Sequence, residues 1–176
     1  FQLDQYFRAI RKQTSSQVVG LRYFNVYGPR ESHKEGMAST AFHFNNQILS
    51  SGKCRLFKGT DGYRNGQQQR DFVYVEDCVS VNIWFLNNPE ISGIFNVGTG
   101  KAQSFNKMAN EVINWHKIRT QKEYLIEYID FPKHLIGSYQ NFTQADITSL
   151  RKVGYQKKFN DLSSGIKKYL DFLKTI

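Results

Sequence analysis

The sequence predicts an α/β fold, and three observations carry that prediction. Strand-like apolar runs alternate with segments of helical period along the chain. The run Val18, Val19, Leu21, Tyr23, Phe24 and Val26 is nearly continuous, as in a parallel strand covered on both faces. Turn chemistry separates the segments at Tyr27-Gly28-Pro29-Arg30, Ser50-Ser51-Gly52, Pro89 and Gly98-Thr99-Gly100.

The elements follow in order. Residues 1–13 place Phe1, Leu3, Tyr6, Phe7 and Ile10 on one helical face, with Asp4, Arg8, Arg11 and Lys12 opposite. No capping residue precedes Phe1, so the natural chain is expected to extend upstream. Gln17 to Val26 is expected as one strand. Residues 31–38 are polar and contain glycine, hence a loop. Residues 39–51 predict a helix and 54–58 a short strand. Thr60 to Gln69 is a polar loop, with two glycines and three consecutive glutamines, and the best candidate for mobility. Asp71 to Val75 predicts a strand, and Asp77 is placed to cap a helix over 78–88 that Pro89 stops. Gly93 to Val97 is a strand. Phe105, Met108, Ala109, Val112 and Ile113 follow the i, i+3, i+4 rule for a helix. Tyr124 to Ile129 is a strand. Thr143 with Asp146 predicts a capping box that opens a helix ending at Gly154. Leu162, Ile166, Tyr169, Leu170 and Leu173 define the last helix.

The 176 residues can bury a sizeable core. With 40% hydrophobic and 22% charged residues, the composition is that of an ordinary globular protein. The longest apolar run, Ile83-Trp84-Phe85-Leu86, is far too short for the roughly 18 residues of a bilayer span, so no membrane partner is expected. No signal peptide is visible. Cys54 and Cys78 lack metal-ligand spacing and read as reduced structural thiols in the cytoplasm. His33, His43, His116 and His134 are scattered, and no metal is expected. Lysine and arginine exceed the acids by 24 to 15, giving +9. That surplus makes a nucleic-acid-binding module an alternative. However, many cations lie on predicted helix faces in the last third. Arg22, Arg30, Lys34, Arg55, Lys58 and Arg70 sit inside or beside strand–turn segments and suit a small anionic ligand better, so no nucleic acid is expected.

The sequence holds no G-x-G-x-x-G after a strand. Gly98-Thr99-Gly100 reads as a tight turn, because Gln103 stands where the third glycine belongs. Glu76 and Asp77 read as helix-start charges, not as an acid/base pair.

Four segments stand out together: Leu21-Arg22-Tyr23-Phe24-Asn25-Val26-Tyr27-Gly28-Pro29-Arg30, Arg70-Asp71-Phe72-Val73-Tyr74-Val75-Glu76-Asp77, Gly93-Ile94-Phe95-Asn96-Val97-Gly98-Thr99-Gly100, and Tyr139. In this order they resemble the C-terminal half of extended short-chain dehydrogenases that act on nucleotide sugars. Pro29 to Lys34, Met37-Ala38-Ser39, Ala41-Phe42-His43 and Gly137 to Asp146 are similar to the ADP-L-glycero-D-manno-heptose 6-epimerase branch. Phe1 to Tyr6 resembles the helix after that family's catalytic Tyr-x-x-x-Lys pair. The resemblance covers essentially the whole chain. It implies the closing strands of a Rossmann-like sheet (1–30, with 77–100 returning to that sheet) and a small α/β substrate-binding domain over 31–176. It also implies an upstream dinucleotide-binding half, NADP bound mainly by that half, a homo-oligomer, and a role in lipopolysaccharide inner-core synthesis. The chain alone is then expected to be inactive.

Carried over residue by residue, the resemblance makes Lys34 the second proton acceptor and a cofactor contact. Val26 would line the nicotinamide site. Asn25, Gly36, His43, Phe57, Lys58, Gly59, Thr60, Arg70 and Tyr139 would hold ADP-heptose. The chain departs from the family at Lys34-Glu35-Gly36-Met37, where the usual pattern is Lys-Gly-x-Met, and in a long loop from Asp61 to Gln69. The reaction implied is oxidation at C6 of the heptose and return of hydride to the opposite face, with an acid/base group near the oxygen on each side. A free lysine titrates at about 10.4, so a lysine base needs burial or neighbouring positive charge. Plainer readings stand beside these roles. Lys34 could be a solvated side chain or phosphate contact. Arg70 could pair with Asp71 or Glu76, Asn25 could end a strand, Tyr139 could pack at the core edge, and Phe57 could be core. A related UDP- or dTDP-sugar epimerase or dehydratase is the neighbouring enzymatic alternative.

Overall fold

A computed structural model describes residues 2–133, 137 and 139–175; Phe1, His134 and Ser138, which figure in the expectations above, lie outside them. The element order is α1 (Gln2–Ile10), β1 (Val19–Tyr23), β2 (Asn25–Tyr27), a 3-10 turn (Ser32–Met37), α2 (Thr40–Ser51), β3 (Lys53–Phe57), β4 (Gln69–Arg70), β5 (Phe72–Tyr74), α3 (Val75–Leu86), β6 (Gly93–Val97), β7 (Gln103–Ser104), α4 (Phe105–Thr120), β8 (Leu125–Ile129), α5 (Thr148–Lys152) and α6 (Leu162–Lys174). β1 pairs with β6, β2 with β5 and β3 with β8, all parallel; β4 and β7 are antiparallel. The α/β class is as the sequence predicts.

The expected single strand 17–26 is two strands. Its chain changes partner at Phe24, whose N–H donates to Val97 in β6, while the next N–H, of Asn25, donates to the carbonyl of Asp71. Consecutive strand amides point to opposite edges, so β6 and β5 flank this segment on opposite sides. Over Val19–Tyr23 the edge of β1 away from β6 pairs with no described strand.

β5 separates two cores. Strand side chains alternate between faces. Phe72 and Tyr74, with Tyr27 of β2, join a core formed with α2, β3, α4 and α6. Val73 points the other way, into a core of Cys78, Val81, Phe85, Phe95, Val97, Leu150 and Tyr155, and Val26 packs against that second core. All three β5 residues are buried, which is why this stretch reads as a continuous apolar run. Burial pushes the Cys54 and Cys78 thiols up to about 12, as expected of inert core cysteines.

Helix ends follow local chemistry where a small polar side chain is free to fold back. Ser39, Ser104 and Asp161 cap α2, α4 and α6 through Phe42, Lys107 and Ser164 amides, and Gly52 closes α2 in the left-handed region. Two expected caps are corrected. α3 begins at Val75, so Asp77 lies inside its first turn. Its carboxylate instead accepts from the backbone N–H and side-chain amide of Asn160. The Thr143–Asp146 capping box does not form: Thr143 Oγ1 donates to Asn25 Oδ1 at 3.3 Å, and Asp146 accepts from the Thr148 amide ahead of the short α5. Asp77 and Thr143 are drawn away by partners far along the chain, whereas Asp146 keeps a local one at the start of α5. No described helix is long and apolar enough to cross a membrane.

Candidate functional site

Arg70 is the centre of the best-formed polar site. It lies on β4, is only 6% exposed, and bonds its own strand by donating from Nη1 to the Gln69 carbonyl at 2.8 Å. Its guanidinium carbon sits 5.0 Å from the Tyr139 ring centroid and 5.6 Å from that of Phe105. Burial holds the Arg70 pKa below the usual arginine range, but guanidinium remains charged at any physiological pH. The expected alternative, an ion pair with Asp71 or Glu76, is absent: Asp71 turns to other partners and Glu76 faces Lys168. A buried guanidinium with no carboxylate beside it among the described residues has unspent donor capacity in a fork suited to phosphate.

The aromatic wall continues outward. Tyr139 meets Phe57 edge-on at 6.4 Å and Phe131 at 5.1 Å, and Phe57 meets Phe131 at 5.2 Å. Burial raises the Tyr139 hydroxyl pKa and Arg70 opposes that shift. Asn25 joins the group through the chain at 141–143. The Gln69 amide donates to the Asn141 carbonyl, the Thr143 amide donates to the Gln69 carbonyl, and Thr143 Oγ1 reaches Asn25. The structure thus brings Asn25, Phe57, Arg70 and Tyr139 into one neighbourhood.

The loop after β3 is tethered. Gly66 N–H donates to the Phe57 carbonyl, the Asn106 amide N–H to the Gly66 carbonyl, and the Asn106 side chain to the Asn65 carbonyl. Gln68 and Gly66 are buried beneath it. Gly59 fits because nothing larger can: a Cβ there would lie 1.8 Å from the Tyr63 carbonyl oxygen. Thr60 bonds Asp61 at 3.1 Å, and Lys58 spends its amine on Asp130 at 2.7 Å, an exposed pair. β3 and the first turn of α4 supply these anchors to the loop.

Lys34, Gly36 and His43 lie elsewhere along the chain. Lys34 and Gly36 stand on the exposed 3-10 turn, which buries none of its residues, and Gly36 faces open space. The Lys34 amine bonds no described residue, and only its backbone N–H is held, by the Glu31 carbonyl at 3.0 Å. Glu35 adopts φ 47° and ψ −123°, an unusual conformation for a non-glycine residue and the place where the chain departs from Lys-Gly-x-Met. His43 is half-buried on α2, its ring 6.1 Å from Phe42. No described hydrogen bond or ring contact joins these three to the Arg70 group. What they share is β2, which Asn25 opens and whose exit leads to Lys34.

The turn is nonetheless tied at its base. Glu31, 4% exposed, accepts from the Ser39 amide and Ser39 hydroxyl, both at 2.6 Å, and from the Tyr169 hydroxyl at 2.7 Å. Burial, then Glu31, drives the Tyr169 pKa upward. Sequence reasoning named neither Glu31 nor Asp71 as site-building residues. Their only local signal was position, each beside a cation-bearing motif.

Toward a nicotinamide dinucleotide, these residues offer a flank and no pyrophosphate cradle. Val26 is half-buried against the second core, and the Lys34 amine bonds no described residue. The Thr99 and Gly100 amides, which a phosphate would need, are taken by Asp71. Among the described residues no group of three or more His, Cys, Asp or Glu could hold a metal ion.

Residues 1–98 match the NAD dependent epimerase/dehydratase family. The ADP-L-glycero-D-manno-heptose-6-epimerase of Alkalilimnicola ehrlichii is 55% identical over 168 residues, which are 96% of this chain and 51% of that protein. The crystal structure of the Helicobacter pylori ADP-L-glycero-D-manno-heptose-6-epimerase superposes with a TM-score of 0.77 at 31% identity, covering 99% of this chain and 49% of that one. A UDP-N-acetylglucosamine 4-epimerase from Methanobrevibacter ruminantium shares the fold with a TM-score of 0.80 at 22% identity, over 99% of this chain and 52% of its own. The chain therefore spans about half the length of these relatives.

Proposed function

The chain belongs to the NAD dependent epimerase/dehydratase family, and from that premise we propose that it is the nucleotide-sugar-binding half of an ADP-glycero-manno-heptose 6-epimerase. One observation carries the proposal: a buried Arg70 guanidinium, with no carboxylate beside it among the described residues, faces Tyr139 and Phe105, with Asn25 held nearby. Such a group binds a diphosphate strongly, since charge-assisted forks in a partly desolvated site outweigh the same contact in water. The similarity to the heptose epimerases of Alkalilimnicola ehrlichii and Helicobacter pylori supports the choice of sugar nucleotide.

In this reading Arg70 grips the diphosphate. Phe57 to Thr60 and Tyr139 flank the nucleoside, and Asn25 and His43 orient the sugar. Gly36 leaves backbone exposed beside it. Lys34, on its open turn, takes or returns a proton at the sugar's C6 oxygen. A nicotinamide dinucleotide, when bound, supplies a reversible hydride acceptor, and Val26 and Lys34 are the residues here that would meet it. The choice of NADP, the homo-oligomer and the role in lipopolysaccharide core synthesis rest on the family resemblance, and the cytoplasmic location on the reading of Cys54 and Cys78 as reduced structural thiols.

The test is a proton NMR assay of the whole protein with ADP-D-glycero-D-manno-heptose. Inversion at C6 without net consumption of oxidised cofactor is the expected result. Turnover of UDP- or dTDP-hexoses with no reaction of the ADP-heptose would overturn the assignment. Strongly salt-dependent binding of oligonucleotides with no response to ADP would replace it with a nucleic-acid module.

A further inference from the structure

Asp71 adjoins Arg70 in sequence but points the other way. It is 0% exposed. Its Oδ1 accepts from the Thr99 backbone N–H at 2.8 Å and the Thr99 hydroxyl at 2.6 Å; its Oδ2 accepts from the Gly100 N–H at 2.8 Å and the Ala145 N–H at 3.1 Å. No described cation pairs with it. A buried carboxylate is tolerable without a counter-charge when amides converge on it as a nest does on an anion. The approach is close: a Cβ on Gly98 would lie 2.8 Å from Asp71 Oδ2 and 2.7 Å from the Ala145 Cβ. The glycine turn after β6 thus cradles an anion that belongs to the protein itself.

Three segments meet at this carboxylate: β4–β5, the turn at 98–100 and the chain at 145. The last of these runs back through Thr143 and Asn141, both bonded to Gln69, to the Tyr139 ring over Arg70. The Asp71 carbonyl also holds the Asn25 amide. One buried residue therefore sets where Asn25, Arg70 and Tyr139 stand relative to each other. Because its charge is spent on amides, it leaves the neighbouring guanidinium unneutralised.

We propose that Asp71 is the positioning residue of the diphosphate clamp, fixing the Tyr139–Thr143 segment against Arg70 while holding its own carboxylate away from the guanidinium. The inference rests on the role given to Arg70 above. The test is a thermodynamic cycle on ADP binding by calorimetry in the whole protein, with Asp71→Asn, Arg70→Ala and the double variant. Asp71→Asn is expected to weaken ADP binding by about tenfold, with less than about a twofold further loss in the Arg70→Ala background, the signature of coupled neighbours. A loss of the same size in both backgrounds would make Asp71 merely structural, and unchanged affinity in Asp71→Asn would refute the idea outright. An Arg70→Ala protein that binds ADP as tightly as wild type sinks the clamp itself, whatever Asp71→Asn does. Should Asp71→Asn fail to fold, Thr99→Val removes a single donor. It should cost about threefold in ADP affinity, and nothing when Arg70 is already alanine; equal losses there overturn the proposal as well.

Discussion

The Arg70 side and the Lys34 side of the candidate site are built on opposite plans. Around Arg70, strand pairing, edge-on rings and tethered loops converge, and Arg70, Phe57 and Tyr139 are buried or half-buried while Asn25 at the rim is exposed. Around Lys34 six residues form an exposed 3-10 turn with Met37 87% exposed, fastened among the described residues at its base by Glu31 and Ser39. Binding a constant group such as a diphosphate favours donors fixed in advance. Moving a proton needs a side chain that reaches the reacting oxygen, and the groups that desolvate it are not among those described here. The comparison thus separates a buried, pre-ordered Arg70 group, suited to the holding role proposed for it, from an exposed Lys34, suited to the proton transfer proposed for it.

The sharpest way to break this division is at Lys34. Lys34→Ala in the whole protein should lower kcat by about 10²–10⁴-fold, the usual worth of a positioned acid/base group, and leave ADP affinity within about twofold. Equal losses in both would return Lys34 to the binding set. Arg70→Ala should do the reverse. ADP affinity should fall by roughly 30–100-fold, with Arg70→Lys recovering little because an ammonium lacks the fork; calorimetry that finds Lys as good as Arg would argue for a simple charge. Next come two glycines whose substitution by alanine should contrast. Gly59→Ala forces a Cβ onto a backbone oxygen and should cost about 2 kcal/mol or more, while Gly36→Ala, in open space, should stay within about 0.5 kcal/mol in urea unfolding. A large stability loss at Gly36 would show that the Lys34 turn is packed after all.

Glu31 ties the Lys34 turn to Ser39 and to Tyr169 of α6, and Glu31→Gln should lower unfolding free energy by about 1–3 kcal/mol, because one of its buried oxygens becomes a donor facing donors. An unchanged urea midpoint would detach the turn from the core. The smallest expected effect is on pH. His116, buried between α2 and α4, bonds Asn45 at 2.9 Å, and desolvation, then Arg119, lowers its pKa from 6.5. Above 6.5 both folded and unfolded forms are neutral and nothing changes. Below it the unfolded chain takes up the proton first, so stability should fall from pH 7 to 5.5, and His116→Gln should flatten that slope in urea titrations.

Most helices and strands were legible from local pattern. Gly93–Val97 falls where the sequence predicts it, and α2, α4 and α6 begin at Ser39, Ser104 and Asp161 because a short polar side chain can always reach an amide two or three residues on. The site was legible only as a set of residue types. Arg70 could be named from its motif, yet its plainest alternative, pairing with Asp71, was equally readable in the sequence. The break at Phe24 and the abandoned caps at Asp77 and Thr143 were invisible, since the partners that decided them lie far along the chain.

What the sequence determined by itself was the alternation of strands and helices, the strand Gly93–Val97 and the turn at Gly98-Thr99-Gly100, because apolar period and backbone freedom are properties of neighbouring residues; the cover expected on both faces of 17–26 is not found over β1, where Arg22 and Tyr23 are exposed. Tertiary structure alone decided which amides receive Asp71, which rings enclose Arg70 and which loop α4 holds down. A polar side chain satisfies itself with the nearest donor in space, and that donor is chosen only when distant segments have packed.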